Sequence, residues 1–120
     1  MAQYADGFLI PIPKDQIDNY REIARFAGSI WKEHGAVAYY ECVGDDLDVK
    51  DQISFPTLTG AEPGETVILA WIIYNSREHR DEVNAKVMAD PRMTEFMKDR
   101  PMPFDCRRMA YGGFRTLVIA

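Results

Sequence analysis

One hundred and twenty residues, 47% of them hydrophobic, fill one packed core and are too few for two, so residues 1–120 read as a single domain. Fourteen Lys and Arg against nineteen Asp and Glu leave a formal charge of −5. That balance argues against broad affinity for nucleic acid or an anionic membrane, which needs a basic face. Met1 to Ile10 has no basic start and carries Asp6, so no secretory leader is expected. The longest apolar run, Val67 to Ile73, falls far short of the ~20 residues that span a bilayer. Cys42 and Cys106 form no Cys-x-x-Cys pair, and a soluble cytoplasmic protein with reduced thiols is the expectation.

Tyr4 to Pro11 reads as a first strand, rich in aromatic and branched residues and ended by Pro11 and Pro13. From Asp15 to His34 the period changes. Ile17, Tyr20, Ala24, Ala27, Trp31 and His34 recur at steps of three and four, the spacing of one helical face, and Gly35 suits the C-terminal cap. Ala36 to Val43 reads as a second strand. Residues 44–65 form a long excursion with a short strand at Ile53–Phe55, and a connection of that length marks a functional segment or an interface arm. Thr66 to Tyr74 is a central strand, apolar on both alternating faces. Ser76 caps a second helix, with His79, Val83 and Val87 at helical spacing. Pro91 breaks it before a short helical segment at Met93–Met97. Arg108 to Ile119 closes the chain as a last strand, with Gly112-Gly113 marking a bulge or a close backbone approach.

The order strand, helix, strand, strand, helix, strand is that of a ferredoxin-like βαββαβ antiparallel sandwich, an α+β fold with both helices on one side of the sheet. Two helices cover one face only. In the third strand Val67, Leu69, Trp71 and Ile73 share one parity and Ile68, Ala70, Ile72 and Tyr74 the other, so neither face is polar. An exposed apolar sheet is uncommon in a soluble monomer. A second copy would cover it, giving a homodimer of the dimeric α+β barrel type. The alternative is a monomer in which the middle segment folds back over its own sheet.

Several stretches carry a family likeness. They include Tyr4-Ala5-Asp6-Gly7-Phe8, Trp31-Lys32-Glu33-His34-Gly35-Ala36, Tyr40-Glu41-Cys42-Val43, Trp71 to Arg80, Val83 to Met88, Met102-Pro103-Phe104-Asp105 and Arg108 to Phe114. Over nearly its whole length the chain resembles the YbaA-like family of small uncharacterised bacterial proteins. The resemblance implies a ferredoxin-like fold and the dimeric α+β barrel superfamily, and it brings no catalytic assignment. Some members are connected by label with signal recognition particle RNA. This chain has no RNP-like strand motif, no Gly-x-x-Gly loop and no basic stripe.

The chemistry-bearing side chains are few. His34, at a helix end, suits a cap or a general base at a pocket mouth. His79 shares a face with Val83, and Arg80 and Asn84, four apart, suit a ligand carboxylate or neighbouring acids. Trp31, Tyr40, Trp71, Tyr74, Tyr111 and Phe114 supply aromatic surface for a ligand or for packing. Asp45, Asp46, Asp48 and Asp51 lack the spacing of a calcium loop and read as a solvated turn. No phosphate loop, nucleophile elbow or metal-ligand spacing is present, so no cofactor and no metal are expected. The leading reading is a homodimer binding a small apolar or aromatic metabolite, with Trp31, His34, Trp71, His79, Arg80 and Asn84 as ligand-binding candidates and cofactor-independent catalysis as an extension. The competing readings are a non-catalytic stress or interaction protein and an RNA-associated one.

Overall fold

The computed structural model describes residues 3–120; Met1 and Ala2, the start of the stretch read for a leader, lie outside the described residues. Strand β1 is Tyr4–Pro13, followed by a 3-10 turn at Lys14–Gln16, helix α1 at Ile17–Glu33, β2 at Ala38–Val43 and the short α2 at Phe55–Thr59. Then come β3 at Glu65–Tyr74, α3 at Arg77–Ala89, α4 at Pro91–Met97, a 3-10 turn at Cys106–Arg108 and β4 at Ala110–Arg115. The four strands lie in the order β2-β3-β1-β4. Every neighbouring pair is antiparallel. This is the α+β arrangement expected from the element order.

Local chemistry sets the element ends. Tyr20, Ala24, Ala27 and Ile30 make the buried stripe of α1. The helix stops where the His34 N–H bonds the Ile30 carbonyl at 3.0 Å and Gly35 takes φ +116°, a conformation that side chains with a Cβ resist. The Ser76 hydroxyl accepts the His79 N–H at 3.0 Å and starts α3, which buries Val83 and Val87.

Three expectations change. Strand β1 runs through Pro11 and Pro13 to pair with β3. β4 reaches only from Tyr4 to Leu9 along β1. Beyond that point one side of β1 is a free edge, where a proline's missing N–H costs nothing. The strand expected at Ile53–Phe55 is replaced by α2. Ser54 accepts the Thr57 N–H at 3.2 Å, Pro56 sits in the first turn and Gly60 stops the helix at φ +69°. The last strand is shorter than Arg108–Ile119. Asp105 caps the 3-10 turn that precedes it, accepting the Arg107 N–H at 3.0 Å. After Arg115 the partner strand has ended, leaving one bond from the Thr116 N–H to the Gln3 carbonyl, 2.9 Å. At Gly112-Gly113 the register is unbroken, so there is no bulge. Gly113 is instead a close approach: a Cβ there would strike the Tyr4 hydroxyl and the Arg80 guanidinium.

The helices cover one face of the sheet, where Ile10, Ile12, Ile68, Ala70, Ile72 and Tyr74 are buried against Tyr20, Ala24, Ile30, Val83 and Val87. The register puts Leu9 opposite Leu69, Gly7 opposite Trp71 and Ala5 opposite Ile73 and Phe114, all on the other face. No helix of the sandwich layer reaches that side. Leu47 and Phe55 of the excursion gather with Val67 and Leu69 at one end of it. Val67 is buried, but Leu69, Tyr40 and Phe114 are 41%, 55% and 63% exposed. The excursion therefore roofs only the Val67 end. Further along, Tyr40 stacks on Trp71 with ring centroids 5.2 Å apart.

Candidate functional site

Between α1 and the sheet lies a cavity of about 290 Å³, walled by Phe8, Ile10, Trp31, Met93, Phe104 and Met109 among others. Small residues on facing elements, Ala24 and Ala27 on α1 and Ala70 on β3, leave the room. A wider groove of about 460 Å³ runs between α1 and the edge strand β2, with Arg21, Arg25 and Lys32 along it. Tyr20, Tyr39 and Glu41 belong to both, so they form the partition between groove and cavity.

Glu41 is the polar centre of that partition. The Tyr20 hydroxyl donates to its Oε1 at 2.6 Å and the Tyr39 hydroxyl to its Oε2 at 2.8 Å. Among the described residues no cationic side chain pairs with it. Burial pushes the Glu41 carboxyl above the usual range, and the two tyrosine hydrogen bonds pull the other way. Burial, then the neighbouring carboxylate, pushes both phenols far above ordinary tyrosine, so they remain donors. Gly28 lets the Tyr39 ring lie against α1, since a Cβ there would sit 2.8 Å from the ring.

The second polar cluster sits at the other end of the helix-facing side. Asp6, near the start of β1, is 1% exposed. Arg80 Nη1 donates to it at 2.6 Å and Asn84 Nδ2 at 3.4 Å. The Asn84 oxygen accepts from Trp31 Nε1 and from the Tyr74 hydroxyl, both at 3.1 Å. The indole can only donate, which fixes the orientation of the amide. Arg80 also donates to the Tyr111 hydroxyl at 3.2 Å and lies over the Tyr4 ring at 4.9 Å from its centroid. Burial, and then the Asp6 charge, raises the Tyr74 phenol well above its ordinary value and raises Tyr111 as well.

The six candidates from the sequence separate into three places. Trp31, Arg80 and Asn84 meet in the Asp6 cluster, and Trp31 also lines the cavity. His79 stands beside them. Its Nδ1 accepts the Asn75 N–H at 2.9 Å, which puts the ring proton on Nε2, and its edge meets Tyr74. His34 lies elsewhere, 2.8 Å from Asp90 Oδ2 at the junction of α1 with α4. Hydrogen bonds from Arg92 and then His34 hold the Asp90 carboxyl well below the usual range. Trp71 is on the opposite face of the sheet. Asp6, Tyr20, Tyr39 and Glu41 were not singled out beforehand. Their signal was a charge at an inward parity, Asp6 amid Tyr4–Ile12 and Glu41 within Tyr39–Val43. Asp45, Asp46, Asp48 and Asp51 are all exposed. Among the described residues no three His, Cys, Asp or Glu side chains converge as metal ligands, and no helix is long and apolar enough to cross a membrane.

Fold and cavity together define a small α+β sandwich of ferredoxin topology with an apolar cleft between helix and sheet and a carboxyl group in its wall. Residues 3–106 match the family described as Protein of unknown function (DUF1428), and the chain belongs to that family. The uncharacterized protein YbaA of Escherichia coli strain K12 is 43% identical over 116 residues, covering 97% of each chain. YbaA of Shigella flexneri is similar to the same extent. Among solved structures, a nipsnap family protein with unknown function from Agrobacterium tumefaciens is similar in fold, with a TM-score of 0.60. At 17% identity, over 98% of this chain and 91% of that one, the likeness is one of fold alone.

Proposed function

We propose that the chain is a homodimeric α+β barrel that binds a small, mostly apolar molecule in its helix–sheet cavity. The cavity itself carries the reading. At about 290 Å³ it approaches the size of small-ligand sites, and its walls are aromatic and aliphatic with a few convergent polar groups. The dimer rests on the uncovered sheet face, where Tyr40, Leu69 and Phe114 remain exposed. A contiguous apolar patch of that kind is uncommon on a monomer, and its burial supplies the driving force for association. Both cysteines are free, which suits a reducing, cytoplasmic setting.

Thermal-shift measurements with a panel of small aromatic and aliphatic compounds test the binding. Several compounds should raise Tm, and Ala27→Phe, which fills the cavity, should remove the response while the protein stays folded. A flat response across the panel, or an Ala27→Phe variant that binds unchanged, overturns the ligand reading. Light scattering should give the mass of two chains, reduced to one by Leu69→Asp. A lone chain at high micromolar concentration would remove the dimer and favour a different protein as the partner for that face.

A further inference from the structure

We infer that Glu41 is the acid–base group of a proton-transfer site, and that the cavity takes apolar carbonyl compounds bearing an acidic C–H bond next to the carbonyl. The inference rests on the cavity being a ligand site, and adds to it a reaction class and a substrate class.

The geometry makes the case in three parts. First, a carboxylate has about four lone-pair positions. The hydroxyls of Tyr20 and Tyr39 occupy one on each oxygen, at 2.6 and 2.8 Å. The carboxylate is thus fixed in place and still has acceptor capacity on both oxygens. Second, the donors are neutral. The groups facing Glu41 from α1 are Tyr20, with Arg21, Arg25 and Lys32 further along the groove; from β2 there is Tyr39. Ala70 lies opposite it on β3, and Ile68, Met93, Met97 and Phe104 line the two spaces it borders. The three cations are engaged elsewhere, Arg21 with Asp18, Arg25 with Glu22 and Lys32 with the Val37 carbonyl. No counter-ion therefore locks the carboxyl in its ionised form. Third, Glu41 lines both the apolar cavity and the more polar groove beside β2. A proton received on the apolar side can leave on the wet side.

The step balances without any co-reactant. A Glu41 oxygen takes the proton from the carbon beside the carbonyl. The C–H electron pair forms the new C=C bond, and the carbonyl π pair moves to oxygen as an enolate. Once Glu41 is neutral, its hold on the tyrosine hydroxyls weakens, and one of them is released to donate to the enolate oxygen. Returning the proton to the same carbon gives exchange; returning it to a conjugated neighbour gives an isomer. The raised carboxyl brings the base nearer to neutral pH, where general bases work best.

The bicyclic ketone 2-tetralone is a suitable probe. Its exchange of hydrogen for deuterium in D2O is followed by proton NMR with the full chain, and its binding by saturation transfer in the same samples. Wild-type protein should speed exchange above buffer, with a rate that rises through a single ionisation. Glu41→Gln should bind the ketone and exchange it at least tenfold more slowly. Tyr39→Phe, which keeps the carboxyl but removes one hydrogen bond to it, should show an intermediate rate and a pH midpoint shifted upward. Binding without exchange, or a Glu41→Gln variant as fast as wild type, overturns the acid–base role and leaves the cavity reading standing. Absence of ketone binding overturns the substrate class. If the compound panel is silent too, the cavity reading falls with it.

Discussion

Asp6 and Glu41 are carboxyls on the same, helix-facing side of one sheet, and their surroundings differ in kind. Asp6 sits in central strand β1 with a guanidinium 2.6 Å away and an amide behind it. Glu41 sits in edge strand β2 with two phenols and, among the described residues, no paired cation. A buried carboxyl bonded to a fixed guanidinium joins strand to helix, and breaking the pair is costly. A carboxyl held only by neutral donors keeps both states accessible. The first arrangement belongs to architecture, the second to chemistry.

The largest expected effect comes from breaking the first pair. Arg80→Ala strips buried Asp6 of its guanidinium partner and should cost about 3–5 kcal/mol, read from urea unfolding. Adding Asp6→Asn should recover part of that loss, and a cost near zero would show that the pair does not hold β1 to α3. Next is Gly28→Ala, whose Cβ would lie 2.8 Å from the Tyr39 ring unless one of them shifts. Overpacking there should cost about 1–3 kcal/mol and displace Tyr39 from Glu41, visible as altered tyrosine fluorescence or ring shifts.

Glu41→Gln should behave in the opposite sense to Arg80→Ala. The folded carboxyl lies above its unfolded value, so the neutral form is favoured by folding. That contribution is present below the unfolded value and is lost as pH rises through the folded one. Stability measured across this range should fall with pH in wild type and change less in Glu41→Gln. The smallest effect is expected at Glu65, where hydrogen bonds from Arg108 and from the Glu62 backbone pull the carboxyl down to about 2 from 4.5. Here stability is present above 4.5 and is lost as pH falls toward 2. Arg108→Ala should lower stability in the neutral range and leave it nearly unchanged near pH 2, so the acid limb flattens.

Much of the fold was legible because its signals are local. The stripe of α1, the Gly35 stop and the Ser76 cap act within one or two helical turns. Ile53–Phe55 misled because its branched and aromatic composition outweighed the cap that Ser54 gives to α2. The C-terminal strand was overextended because its length depends on where β1 begins, which local pattern does not contain. The site was legible in halves. Arg80 and Asn84 stood out as polar partners at helical spacing, yet the carboxylate they hold lies 74 and 78 positions away. Glu41 looked like one charged residue in a strand. Its meaning comes from Tyr20 across the layer, a distance no spacing rule spans.

The central place of β1 sets an order of events during synthesis. Strand β1 must lie between two strands that are synthesised after it, residues 65–74 and 110–115. Until they appear its hydrogen-bonding edges are open, so a nascent chain halted after α3 carries an unclosed sheet and an unfinished seat for Arg80. Products cut short of residues 110–115 are therefore prime substrates for chaperones and proteases, whereas adding that strand closes the sheet in one long-range step.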